Sequence, residues 1–143
     1  MKKMKNLRKL CYIALPLMVL TLLSACSKKS DDVADPRKGY PKNVTIEYRV
    51  SKVSGDNIGV MDIRFTNETD ADTQLTGQSL PFSKTITKTV NYASDVSLSI
   101  TENYRITGSI KLEILVNGKV VKTETPVFSN TYITGGVVYQ FND

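Results

Sequence analysis

"GSIKLEILVNGKVVKTE", residues 108–124, carries the most explicit folding instruction in the chain. Ile110, Leu112, Ile114 and Val116 alternate with Lys111, Glu113 and Leu115 up to Asn117-Gly118, and the return leg runs through Lys119, Val121 and Thr123. Apolar residues at every second position give an extended strand one face for a core and another for water. Asn-Gly accepts the positive φ angles of a type I′ turn, whose twist matches the strands on either side, so the two runs read as a hairpin. On this parity Leu112 points inward. Leu115 and Val120 fall on the opposite face, where they are expected to pair across the turn, partly exposed, as a candidate partner contact.

The same period of two extends outward in both directions. Val44, Ile46, Tyr48 and Val50 alternate with Thr45, Glu47 and Arg49; Met61, Ile63 and Phe65 with Asp62 and Arg64; Val96, Leu98 and Ile100 with Ser97, Ser99 and Thr101. Ile133, Val137, Tyr139 and Phe141 supply a last strand, with a bulge or a close backbone approach expected at Gly135-Gly136. Short strands with frequent turn signals over residues 43–143, one domain by length, predict an all-β fold, an Ig-like antiparallel β-sandwich of about seven strands. "PFSKTITKTV", residues 81–90, departs from the pattern, because the parity of Phe82, Ile86 and Val90 also holds Lys84 and Lys88. Inward-leaning lysines blunt an edge strand and snorkel to water. Their alternative use is an anion or headgroup site.

Ahead of this domain stands a different kind of sequence. Lys2, Lys3, Lys5, Arg8 and Lys9 precede an apolar run from Leu10 to Leu23, shorter than the roughly 20 residues a membrane-spanning helix needs. A charged head, a short apolar middle and small residues before a break compose a secretory signal peptide, assigned to residues 1–25. Leu23-Ser24-Ala25-Cys26 resembles the bacterial lipobox, in which cleavage precedes the cysteine and the thiol receives diacylglycerol. An uncleaved N-terminal anchor with a chance cysteine is the competing reading. On the lipobox reading Cys26 is the lipidation site, and two acyl chains make attachment effectively permanent where one is marginal.

Removing residues 1–25 takes those cations with it, so the 19 basic side chains fall to 14, equal to the 14 acidic ones. The high pI belongs to the leader, and a nucleic-acid partner loses its motivation. Of the 2 cysteines, Cys11 departs and Cys26 is acylated, so no disulfide is expected. Residues 26–42 read as the lipidated cysteine and a flexible tether, rich in charge, serine, proline and glycine, with a reach of roughly 22 Å. Within it Ser30, Asp31 and Asp32 resemble the acidic export signal that follows the cysteine of surface lipoproteins in Bacteroidota; the same residues also suit the solvated start of a tether. The expected location is the bacterial outer membrane, held by lipid, with the domain facing the cell surface or the periplasm.

Taken in order, "NVTIEYRV", "MDIRFTNETDADTQ", "LPFSKTITKTV", "SLSI" and "GSIKLEILVNGKVVKTE" resemble the MmpS-type transport accessory domain over nearly all of residues 43–143. Phe82 stands where that family has tryptophan, and Leu112 where it has the cysteine of its disulfide. Mycobacterial relatives use a membrane helix where this chain has a lipobox. The resemblance implies a β-sandwich and a role as accessory subunit of an RND-type, MmpL-like exporter.

The residues that commonly carry catalysis are missing: there is no histidine, no free thiol after acylation, no Gly-rich phosphate loop and no Cys/His metal spacing. No cofactor or metal site is expected. Glu68, Asp70 and Asp72 in "TNETDADTQ" offer alternating oxygens but lack the turn glycine and distal glutamate of a calcium loop, so they read as a solvated turn. Asn67-Glu68-Thr69 and Asn43-Val44-Thr45 match glycosylation sequons, which carry little force in a bacterium. Three function classes follow: a non-catalytic envelope lipoprotein that binds a protein or a surface polymer, the exporter subunit, and a carbohydrate enzyme working through carboxylates. A carbohydrate surface would have to use Tyr40, Tyr92, Tyr104 or Tyr132, since the chain has no tryptophan.

Overall fold

A computed structural model describes residues 35–142. Seven strands, all paired antiparallel, build the domain: β1 (Lys42–Ser54), β2 (Val60–Thr66), β3 (Asp72–Ser79), β4 (Phe82–Val90), β5 (Asp95–Val116), β6 (Lys119–Glu124) and β7 (Val127–Gln140). The described residues contain no helix. The all-β antiparallel fold expected from the period of two is the fold that forms.

Its layering follows from β5. Phe65 on β2 lies opposite Leu98, and Tyr48 on β1 opposite Ile114. A straight strand would carry Ile114 roughly 50 Å away from Leu98. The Tyr48 and Phe65 rings nevertheless lie 5.2 Å apart, centroid to centroid. Strand β5 must therefore double back and fold the sheet onto itself. Its first half pairs with β2 and β7, its second with β1 and β6, which gives one layer ordered β3-β2-β5-β7 and another ordered β4-β1-β5-β6. Val44, Ile46, Tyr48 and Val50 meet Met61, Ile63 and Phe65 between the layers in a single core, with Val96, Leu98, Ile100, Ile110, Leu112 and Ile114 supplied by β5.

The bend has a backbone cause. The ladder of β5 with β7 slips between Glu102 and Arg105 and again between Ile106 and Thr107, and that of β1 with β5 slips between Lys52 and Ser54. Gly55 and Gly108 adopt φ values of +102° and +148° there. A Cβ on Gly108 would lie 2.3 Å from the Ser54 carbonyl oxygen, and one on Gly55 2.4 Å from that of Thr107. Only two glycines let these backbones touch, and bulges turn the strands through the corner.

Several expectations are corrected. Val96–Ile100 and Ile110–Val116, each expected as a strand of its own, are the two halves of β5. The count stays at seven because Asp72–Ser79, read as the end of an acidic turn and the residues after it, forms β3. The ladder runs unbroken through Gly135 (opposite Ile100) and Gly136 (opposite Ser99), so no bulge lies there. A close approach does: a Cβ on Gly135 would come 3.2 Å from the Pro126 ring. At the Asn-Gly turn both residues take positive φ, 50° and 79°, as the type I′ turn requires.

Candidate functional site

Leu115 and Val120 pair across the hairpin as expected, but they do not share a surface. Leu115 is only 2% exposed and Val120 44%. Leu115 lies on a strand flanked by Glu47 of β1 on one side and Val120 of β6 on the other, while β6 is the outer strand of its layer. The expectation that both side chains face a partner is therefore withdrawn for Leu115. Leu112 is fully buried in the core, as its parity requires.

The exposed apolar side chains gather elsewhere. Five of the seven large ones, Val53, Val60, Tyr104, Val127 and Tyr132, belong to the end of the domain where β5 bends. The pairing brings them together: Ser109 lies between Ser54 and Val127, Arg105 opposite Tyr132, and the Tyr104 hydroxyl donates to the Val60 carbonyl at 3.2 Å. The Arg105 guanidinium stands 5.5 Å from the centre of the Tyr132 ring, a cation–π contact that leaves the ring 56% exposed. Partial burial beside Glu102 raises the Tyr104 phenol above its ordinary value. Arg105 also lines a polar hollow formed with Gly55, Asp56, Asn57, Thr107 and Asn130. Asn130 holds a left-handed φ of 51° while its amide donates to the Thr107 hydroxyl. A rim of aromatic and branched side chains around backbone polar groups is suited to gripping a protein or polymer surface.

The opposite end receives the chain from Pro36. Tyr40 meets Tyr92 edge-on at 5.8 Å and Lys42 lies over the Tyr40 ring. The four tyrosines thus fall at two ends, Tyr40 and Tyr92 at one, Tyr104 and Tyr132 at the other. Lys42 opens β1 and Tyr40 packs on Tyr92, although their polar neighbours in the sequence suggest tether.

At this first end the acidic turn and the odd lysines of β4 prove to be one feature. Strand β4 is an edge, as expected. Lys84 is exposed, but Lys88 does not snorkel to water: its side chain is 2% exposed and forms an ion pair with Asp70, with a second hydrogen bond to the Asn67 carbonyl at 3.2 Å. The turn that presents Asp70 is organised by Asn67, whose side-chain oxygen accepts from the Thr69 and Ala71 amides and the Thr69 hydroxyl. Asp70 itself takes φ of 64°, which aspartate tolerates better than most residues. Nearby, the Tyr48 hydroxyl, buried between the layers, donates to the Thr66 carbonyl at 2.7 Å. Burial foremost, then the Glu68 and Asp70 charges, hold that phenol well above its ordinary value. Asp70 thus neutralises Lys88, and with 2% of its side chain exposed Lys88 does not present an open anion site.

A second groove crosses the outer face of β2 and β5, lined by Asp62, Arg64, Gln74, Ser99, Thr101 and Thr134. Asp62 accepts from the Gly77 amide and Arg64 donates to Gln74, so both charged groups are engaged in holding β3. Among the described residues no three or more His, Cys, Asp or Glu side chains come together as metal ligands would. Cys26, Ser30, Asp31 and Asp32 lie outside the described residues.

No model of a known protein family matches this chain, and no curated protein matches it significantly. Sequence reasoning missed the apolar end because its members are scattered through the chain and become neighbours only where β5 turns back. Tyr104 and Tyr132, off the core parity, were the available signal.

Proposed function

We propose that this chain is a lipid-anchored envelope protein without catalytic activity, whose β domain binds another protein or a surface polymer through the end where β5 bends. The observation that carries the proposal is the clustering there of Val53, Val60, Tyr104, Val127 and Tyr132, at the end of β1 away from the incoming chain. Strand β1 separates the two ends by roughly 40 Å. A domain tethered at Cys26 would hold its N-terminal end toward the membrane and offer the apolar end outward. Side chains that remain exposed in groups rather than singly mark such contact surfaces.

A photo-reactive amino acid at Tyr132, compared with one at Thr87 on the exposed face of β4, tests this in intact cells. Tyr132 is expected to yield a discrete adduct with one protein or glycan and Thr87 none; equal adducts from both positions, or none from either, would remove the proposal. Recovery of a large inner-membrane transporter as the adduct would favour the exporter-subunit role implied by the MmpS resemblance. Fatty-acid labelling of the Cys26→Ala variant tests the anchor separately, since label retained without the thiol is incompatible with lipidation there.

A further inference from the structure

The two layers treat their outer strands differently. In the layer β4-β1-β5-β6, β4 carries Lys84 and Lys88, and β6 carries Lys119, Lys122 and Glu124. In the other layer β3 is interrupted: its ladder slips between Met61 and Ile63, Gly77 takes φ of 62°, and the Gly77 amide is tied to Asp62. Charge and bulges are the usual means of keeping an edge from pairing with a foreign strand. Strand β7 has neither over its second half. From Thr125 to Phe141 there is no charged residue, and Ile133–Gln140 lies opposite Asp95–Glu102 without a slip.

The direction of its free backbone groups can be worked out. The Phe141 amide donates to the Ser94 carbonyl at 2.9 Å and so faces β5. Backbone groups alternate in direction along a strand. Thr134, Gly136, Val138 and Gln140 therefore turn their N–H and C=O groups away from β5, and among the described residues β7 pairs with no other strand. All four residues are exposed, Val138 at 55%.

We infer that this edge pairs with the same edge of a second copy, β7 antiparallel to β7 about a two-fold axis, joining two four-stranded layers into one eight-stranded sheet. The second copy is favoured by the absence of charge. An isologous contact sets each residue near its own counterpart, so any charge close to the axis would face its like, whereas a strand from a different protein would profit from opposite charges. An edge free of charge over its whole length suits self-pairing, and the exposed Val138 and Thr134 of each copy would cover one another on the outer face. This inference does not depend on the lipid anchor or on the apolar end.

The mass of the full chain, purified in mild detergent and measured by light scattering with the detergent subtracted, decides it. Wild type is expected as two copies at concentrations up to about 100 µM, with Val138→Lys and Thr134→Lys each weakening association by about tenfold or more. Thr76→Lys, on the β3 edge, should leave the mass unchanged. Circular dichroism confirms that each variant is folded, and both β7 positions are exposed, so one folded variant suffices. A single copy of wild type at every concentration would overturn the inference. So would a two-copy species that persists with lysine at Val138 and Thr134, or one that Thr76→Lys abolishes equally.

Discussion

Removing Asp70 while keeping Lys88 isolates the effect of a buried charge. Lys88 has 2% of its side chain exposed, its carboxylate partner 68%. Breaking a fully buried pair from one side costs about 3–5 kcal/mol, because the remaining charge is left without compensation. Here two features reduce that figure: the Asn67 carbonyl still accepts from the ammonium, and water can reach the place that Asp70 leaves. Asp70→Gly, which accepts the φ of 64° at this position, is therefore expected to destabilise by about 1–2 kcal/mol. Lys88→Met keeps the aliphatic stem and removes the charge together with its desolvation, so it should lie within about 1 kcal/mol of wild type, on either side. The double variant should match Lys88→Met alone, which makes the coupling about as large as the Asp70 effect itself. Urea unfolding followed by circular dichroism, with slopes checked for constancy, resolves differences of this size. A loss below about 0.5 kcal/mol for Asp70→Gly, or above about 2 kcal/mol for Lys88→Met, would refute the account of Lys88 as a cation tolerated only for its partner.

Leu112→Ala and Leu115→Ala should each cost about 2–5 kcal/mol, measured in the same way, since both side chains are buried; a small effect at Leu115 alone would restore it to the surface. Gly108→Ala should destabilise by about 2 kcal/mol or more, because the new Cβ meets the Ser54 carbonyl as well as a forbidden φ, whereas Gly118→Ala, with open space around it, should cost about 1 kcal/mol. Similar melting shifts for the two would mean that the corner does not depend on the glycine contact. Tyr48 keeps its proton in the folded protein at pH values where the unfolded chain gives it up, near its ordinary value of 10.0 and above. Stability should thus fall as pH rises past about 10, and Tyr48→Phe should flatten that decline in a series of urea titrations.

What the sequence disclosed and what it concealed divide along one line. Alternation at Val44–Val50, Met61–Phe65 and Ile110–Val116 revealed the strands and their inner faces, since a half-buried strand writes its parity into each residue. The turn at Asn117-Gly118 was legible for the same reason, a local φ demand met by local residues. Lys88 was hidden because its inward parity makes sense only with Asp70, in a turn far along the chain that no spacing connects to it. Leu115 was misjudged because parity tells which face a side chain takes and not whether that face is covered. The continuity of β5 lay beyond the pattern altogether: Asn103, Tyr104, Arg105 and Gly108 look like a loop until Gly55 is seen lying against Thr107 and Gly108.

The doubling back of β5 also bears on the order in which the domain can assemble. The partners of β1 in its own layer are β4 and the second half of β5, and β2 needs β3 and the first half, so the strand shared by both layers is missing until the chain has been made to Val116, and β6 and β7 follow later still. The pairs β1–β4 and β2–β3 that could form earlier lack the part of the core that β5 supplies. Such two-stranded pieces are marginal in water. A chain emerging from its N-terminus is thus expected to stay unfolded until most of it is available and then to close around β5. That is the condition in which a polypeptide can still be threaded through a narrow channel before it takes its final form.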